Sequence, residues 1–210
     1  MAFTARMKNP IPQFKFFRLS VLIIPFWIIP FWIIPAMAFA HSDAGPHNGL
    51  LHGFFHPLNG LDHGLAMIAV GLWAAQAHGR IIWLIPLVFV MVMGLGGLLG
   101  MITLPIAFAE FGITLSLLVL GALLACRKHL PLSASIILVG LFALSHGYAH
   151  GNEMPQSISM ISYAAGFMLA TLLLHLCGIG LALLFRIFAN ANWIRFSGII
   201  IAFYGGFLMI

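Results

Sequence analysis

The sequence predicts an all-α integral membrane protein, a bundle of six transmembrane helices behind an N-terminal signal peptide. Three observations predict it. Of the 210 residues, 62% are hydrophobic and only 6% are charged, with a mean hydropathy of +1.11; soluble domains carry about 25% charged residues. Apolar residues also run almost unbroken over segments near the ~20 residues needed to cross hydrocarbon. They do not alternate with polar residues, as the strands of a membrane β-barrel do.

The formal charge of +5 does not mark a nucleic-acid ligand. Four of the nine basic residues, Arg6, Lys8, Lys15 and Arg18, lie in the first 18 positions, and the remaining five oppose four acids. Residues 1–18 form a basic n-region, residues 19–35 are apolar, and Ala38-Phe39-Ala40 offers small residues where a signal peptidase reads. Prolines 25, 30 and 35 disfavour a stable helix there. Residues 1–40 are therefore expected to be a signal peptide cleaved after Ala40, with a retained first helix as the alternative. Residues 41–210 form a single membrane domain. Cleavage makes His41 the N-terminus and puts a free amine beside its imidazole.

The spans are expected at residues 57–77, 81–103, 106–126, 131–149, 158–181 and 193–210. Pro105 and Pro131 open helices, as proline prefers. Arg80 falls after the first span, Arg127 and Lys128 after the third, and Arg186 and Arg195 after the fifth. Basic loops stay cytoplasmic. Both mature termini are then on the outer side of an inner, or plasma, membrane. Gly94, Gly96, Gly97 and Gly100 in the second span permit close helix contact.

Ionisable groups at mid-membrane cost roughly 2.5–3.5 kcal/mol each, so they usually face a partner or a cavity. Two constellations need that explanation. The first is His56-Pro57-Leu58-Asn59-Gly60-Leu61-Asp62-His63. In a continuous helix His56 and His63 share nearly one face, with Met67 one turn below His63; Gly60 marks a possible irregularity. The second is His146-Gly147-Tyr148-Ala149-His150-Gly151-Asn152-Glu153. Here His146 and His150 stand at i and i+4, with Glu153 on the same stripe. The charge pattern puts both constellations at the same depth. Imidazole and carboxylate on neighbouring helices form a ligand set for nickel, cobalt, zinc or iron. The metal candidates are therefore His56, Asp62, His63, His146, His150 and Glu153.

Weaker candidates are His41, His47 and His52 ahead of the first span, Met67, and His175 in the fifth span. Solvated loop positions explain His47 and His52 better than metal gathering does, and interhelical hydrogen bonding explains His175 better than an extension of the pathway. His78 and His129 accompany basic turns and read as interface residues. Cys126 and Cys177 lack metal-site or redox spacing and read as packing residues.

These motifs resemble the HupE/UreJ family. The resemblance covers essentially the whole mature chain, and the first motif continues through Leu65, Ala66, Met67, Ala69, Val70, Gly71, Leu72 and Trp73. It implies a secondary nickel permease, in some members a cobalt one, linked indirectly to the maturation of nickel enzymes. It implies metal-pathway roles for His56, Asp62, His63, His146, His150 and Glu153. One departure is visible: the family's second motif has an aromatic residue before its first histidine, and this chain has Ser145.

No phosphate-binding Gly-x-x-x-x-Gly-Lys-Ser/Thr loop occurs, so transport is expected to be secondary or facilitated. The chain is expected to be a non-enzyme with no cofactor, its metal ion being cargo. Its other partners are lipid and a second copy of itself. The rivals are an intramembrane metal-dependent hydrolase, with Glu153 or Asp62 as general base, and a metal sensor without flux. Alternative cargoes are cobalt, zinc and copper. An imidazole binds metal only when neutral, so uptake should fall as pH drops through ~6.5. Radiolabelled nickel uptake across a pH series checks this; flux unchanged by mild acidification counts against histidine coordination.

Overall fold

The computed structural model describes residues 49–77, 79–102, 108–188, 190 and 192–210. The expected signal peptide, its cleavage after Ala40, and the candidates His41 and His47 lie outside the described residues. Within them the chain is all-helical, with seven helices: α1 Gly49–Asn59, α2 Leu61–Ala74, α3 Ile81–Ile102, α4 Phe108–Ala125, α5 Leu132–Asn152, α6 Met160–Phe188 and α7 Asn192–Phe207. Helices α3 to α6 are each long and apolar enough to cross a membrane, and α2 is a shorter apolar helix.

The first expected span, residues 57–77, is instead two helices. α1 begins at Gly49, carries Pro57 inside it rather than at its start, and stops at Asn59. Gly60 is extended, with φ −98° and ψ 118°, and α2 starts immediately after it. Proline removes one helical hydrogen bond and crowds the preceding turn, and Asn-Gly is a poor helical pair. Asp62 then sits in the first turn of α2, where the helix dipole favours a negative charge.

The fifth expected span is longer than residues 158–181. α6 continues to Phe188, which puts Arg186 in its last turn instead of a loop. Arg186 donates through Nη2 to the Ala75 carbonyl at 2.7 Å, and Arg195 donates through Nε to the Ala125 carbonyl at 3.0 Å. Each cation thus meets the open carbonyl end of a neighbouring helix, α2 or α4. Arg127 donates to the Asn192 side chain, and the Lys128 carbonyl accepts from the Trp73 indole. Arg127, Lys128, Arg186 and Arg195 therefore gather at one end of the bundle, called here the basic end, and Arg80 lies in the turn after α2 at that end.

α2 runs through the middle of the bundle and packs against α1, α3, α4, α6 and α7. Ala66, Met67, Ala69, Val70 and Ala74 on it are fully buried. α1 and α2 together lie parallel to α6: the backbone at Gly53 meets Tyr163, and that at Gly71 meets His175. α3 lies parallel to α5 in the same manner, through Gly96, Gly100, Gly147 and Gly151. α4 and α7 pair in opposite directions through Gly121, Gly198 and Gly205. Small residues at such seams let backbones approach, the usual device of helices packed in lipid.

A Cβ on Gly147 would collide with the Met93 carbonyl oxygen, whereas one on Gly140 of the same helix meets nothing within 4 Å. Gly147→Val should destabilise the folded protein by about 1–3 kcal/mol or more through overpacking, and Gly140→Ala should leave stability nearly unchanged. Thermal unfolding of the two variants in detergent checks the contrast; equal melting temperatures would remove the close α3–α5 seam.

Candidate metal centre

Three helices bring the two motifs together at the end of the bundle away from the arginines. α1 supplies His56 from its last turn. α2 supplies Asp62 and His63 from its first turn. α5 supplies His146 and His150 from its last two turns, and Glu153 caps that helix. The ring centroids of His56 and His150 are 4.6 Å apart, those of His150 and His63 are 4.4 Å apart, and those of His63 and His146 are 5.7 Å apart. Four imidazoles thus form a connected ladder. Its mouth is wet and its depth is dry: the side chains of Glu153, His56 and His63 are 50%, 28% and 13% exposed, whereas His150 and His146 are buried.

The outer tier is His56, His150 and Glu153. One ligand atom from each lies within 4.8 Å of the others. Nε2–H of His56 donates to Glu153 Oε2 at 2.8 Å, and His150 Nδ1 lies 3.6 Å from the same oxygen. Ligand atoms held about 2.1 Å from a shared ion at right angles would be separated by similar distances. The neighbouring imidazoles of His150 and then His56 hold the Glu153 carboxyl well below the usual carboxylate range. It therefore stays ionised, and available to a cation, through all ordinary pH.

The inner tier is His63 and His146. His146 Nδ1–H donates to the Phe142 carbonyl one turn back at 2.8 Å. A carbonyl only accepts, so this bond fixes the tautomer and leaves Nε2 with a free lone pair. Nδ1–H of His63 donates to Asp62 Oδ1 at 2.8 Å, which frees His63 Nε2 in the same way. Asp62 stands behind His63 instead of facing the outer tier; such a carboxylate orients an imidazole and raises its basicity as a ligand. Gly60 makes room for this pair, because a Cβ there would lie 2.8 Å from both Asp62 Oδ1 and His63 Nδ1.

Nε2 of His63, Nε2 of His146 and both ring nitrogens of His150 are buried without a hydrogen-bond partner among the described residues. Buried polar atoms are normally satisfied. His63 Nε2, His146 Nε2 and one nitrogen of His150 are thus lone pairs that no group among the described residues takes up, and a metal ion is an acceptor for such lone pairs.

The weaker candidates fall in different places. His52 is exposed on α1, one turn ahead of His56. Met67 is packed in the apolar core with Val70 and Leu72. His175 is fully buried on α6, apart from the ladder. Ser145 donates to the Leu141 carbonyl and lies against Gly112 of α4, so it packs between helices. Three wall residues were not legible in the sequence. Tyr163 and Phe167 stack beside His56 and His150, and Phe89 abuts His146. They sit in apolar runs where nothing distinguishes a site wall from lipid-facing or core aromatics.

A family model described as HupE / UreJ protein matches residues 29–208. Protein HupE of Rhizobium leguminosarum bv. viciae is 44% identical over 144 residues, covering 68% of this chain and 75% of that protein. No solved structure matches.

Since Asp62 orients a ligand without occupying the outer tier, Asp62→Asn should weaken divalent-metal binding about 10–100-fold while leaving the number of ions bound unchanged. Equilibrium titration of the purified protein with nickel measures both quantities. A loss of bound ions instead would make Asp62 a direct ligand.

Proposed function

The chain belongs to the HupE/UreJ family, and from that premise we propose that it carries a divalent transition-metal ion, nickel foremost and cobalt next, across the inner membrane by secondary or facilitated transport. The single observation that carries this reading is the meeting of His56, His63, His146, His150, Asp62 and Glu153 from three helices at one end of the bundle.

The chemistry suits a hydrated dication. Two carboxylates balance its charge, and neutral imidazoles replace part of its water shell. Glu153 and His56, partly exposed, meet the ion first. His150 touches both tiers and passes it to His63 and His146. Ligands with intermediate hardness suit nickel, cobalt and zinc, and release inward requires that no tier bind too tightly.

α1 and α2 act together as one broken crossing, and α3 to α7 add five more, which makes six. Irregular backbone at depth, as at Gly60, is tolerated where it lines a protein cavity. The basic end faces the cytoplasm by the positive-inside rule. That places the histidine ladder on the outer side, together with the start of α1 and the end of α7. In this reading the ion delivered serves the assembly of a nickel enzyme.

Radiolabelled nickel, cobalt, zinc and copper uptake should be measured in cells expressing the wild type, Asp62→Asn and His63→Ala. Nickel uptake should exceed that of control cells, Asp62→Asn should lower it on the order of tenfold or more, and His63→Ala should bring it near background. Wild-type cells that accumulate none of the four metals sink the transport reading.

A further inference from the structure

His175 stands outside the ladder but has the same unmet bonding. It is fully buried on α6, and neither ring nitrogen has a hydrogen-bond partner among the described residues. A neutral imidazole holds one donor and one lone pair, and leaving both unmet in apolar surroundings is costly. An interhelical hydrogen bond would explain a buried histidine, but here the ring meets an aromatic edge. Phe89 of α3 lies 5.0 Å away, centroid to centroid, at 86°.

Phe89 is itself fully buried, and its ring centroid is also 5.6 Å from that of His146. A single benzene ring is therefore in contact with both the deepest imidazole of the ladder and His175. Beyond it the bundle opens again. Ile85, one turn from Phe89 on the same face of α3, lines a cavity of about 270 Å³ together with Trp73, Ala77, His129 and Ser135. That cavity is at the basic end. The backbone of α2 beside His175 is at Gly71, and Trp73 and Ala77 follow within two turns. His175 thus lies between the ladder and a cavity at the opposite end.

We propose that His175 is an inner binding station for a divalent transition metal, reached from His146 past Phe89 and emptying toward the cavity at the basic end, with the Phe89 ring as the barrier between stations. The proposal rests on the transport reading above. An apolar constriction between two ligand sites blocks a continuous water path. The ion exchanges His146 for His175 when the ring swings aside.

Full-length protein reconstituted in liposomes that enclose a nickel-sensitive dye reports influx, and nickel titration of the same preparations in detergent reports outer-site affinity. His175→Gln and His175→Ala should each keep outer affinity within about threefold and cut influx at least about tenfold. Phe89→Leu should raise influx. Glutamine preserves hydrogen bonding but is a poor metal ligand, so wild-type influx in His175→Gln overturns the inner station. A His175→Gln variant that also loses outer affinity overturns it too, by making His175 a support of the ladder. Unchanged influx in Phe89→Leu overturns the barrier. Wild-type liposomes that admit no nickel overturn the transport reading itself, and the inner station with it.

Discussion

Imidazoles and carboxylates cannot stand alone inside an apolar bundle, and much of this structure follows from that constraint. Each unpaired polar atom away from water is costly, and a charge on a membrane helix is more so. The bundle brings such groups to one another. Glu153 meets His56 and His150, Asp62 meets His63, and the Phe142 carbonyl accepts a hydrogen bond from His146 Nδ1–H. What these contacts leave over is a row of ring nitrogens without partners. The remainder is the candidate site, a set of ring nitrogens whose bonding the protein does not complete alone.

Meeting of this kind requires helices closer than bulky side chains permit. Glycine seams provide the approach, between α1 and α6 at Gly53 and Gly166 and between α3 and α5 at Gly147 and Gly151. The break at Gly60 serves the same end. A straight helix through residues 49–74 would carry His56 and His63 on a single rigid face. The extended residue lets α1 present His56 to Glu153 while α2 presents His63 to His146.

The two ends of the bundle are electrically different. At one, arginines complete the carbonyl ends of α2 and α4. At the other, Glu153 and the imidazoles face outward from a buried base. This polarity follows from the alternation of helix direction, because every other turn carries the cations. The carboxylates of the candidate site thus lie at the end away from the fixed positive charge.

Sequence by itself determined the class of the protein, the membership of most helices, the side on which cations collect, and which six residues form the candidate site. Hydropathy and the positive-inside rule depend only on local composition, and the i, i+4 pair His146 and His150 depends only on helical geometry, so both are legible in one dimension. Only the tertiary structure decided that the first crossing is broken at Gly60, that Asp62 backs His63, and that His150 is the hub of the ladder. Only the tertiary structure brought Tyr163, Phe167 and Phe89 to its walls. His56 and Glu153 are 97 positions apart, and their contact follows from how the glycine seams of α1 with α6 and of α3 with α5 set those helices in the bundle. No local pattern encodes that register, because a buried aromatic in an apolar run looks the same whether it faces lipid, core or a metal ladder.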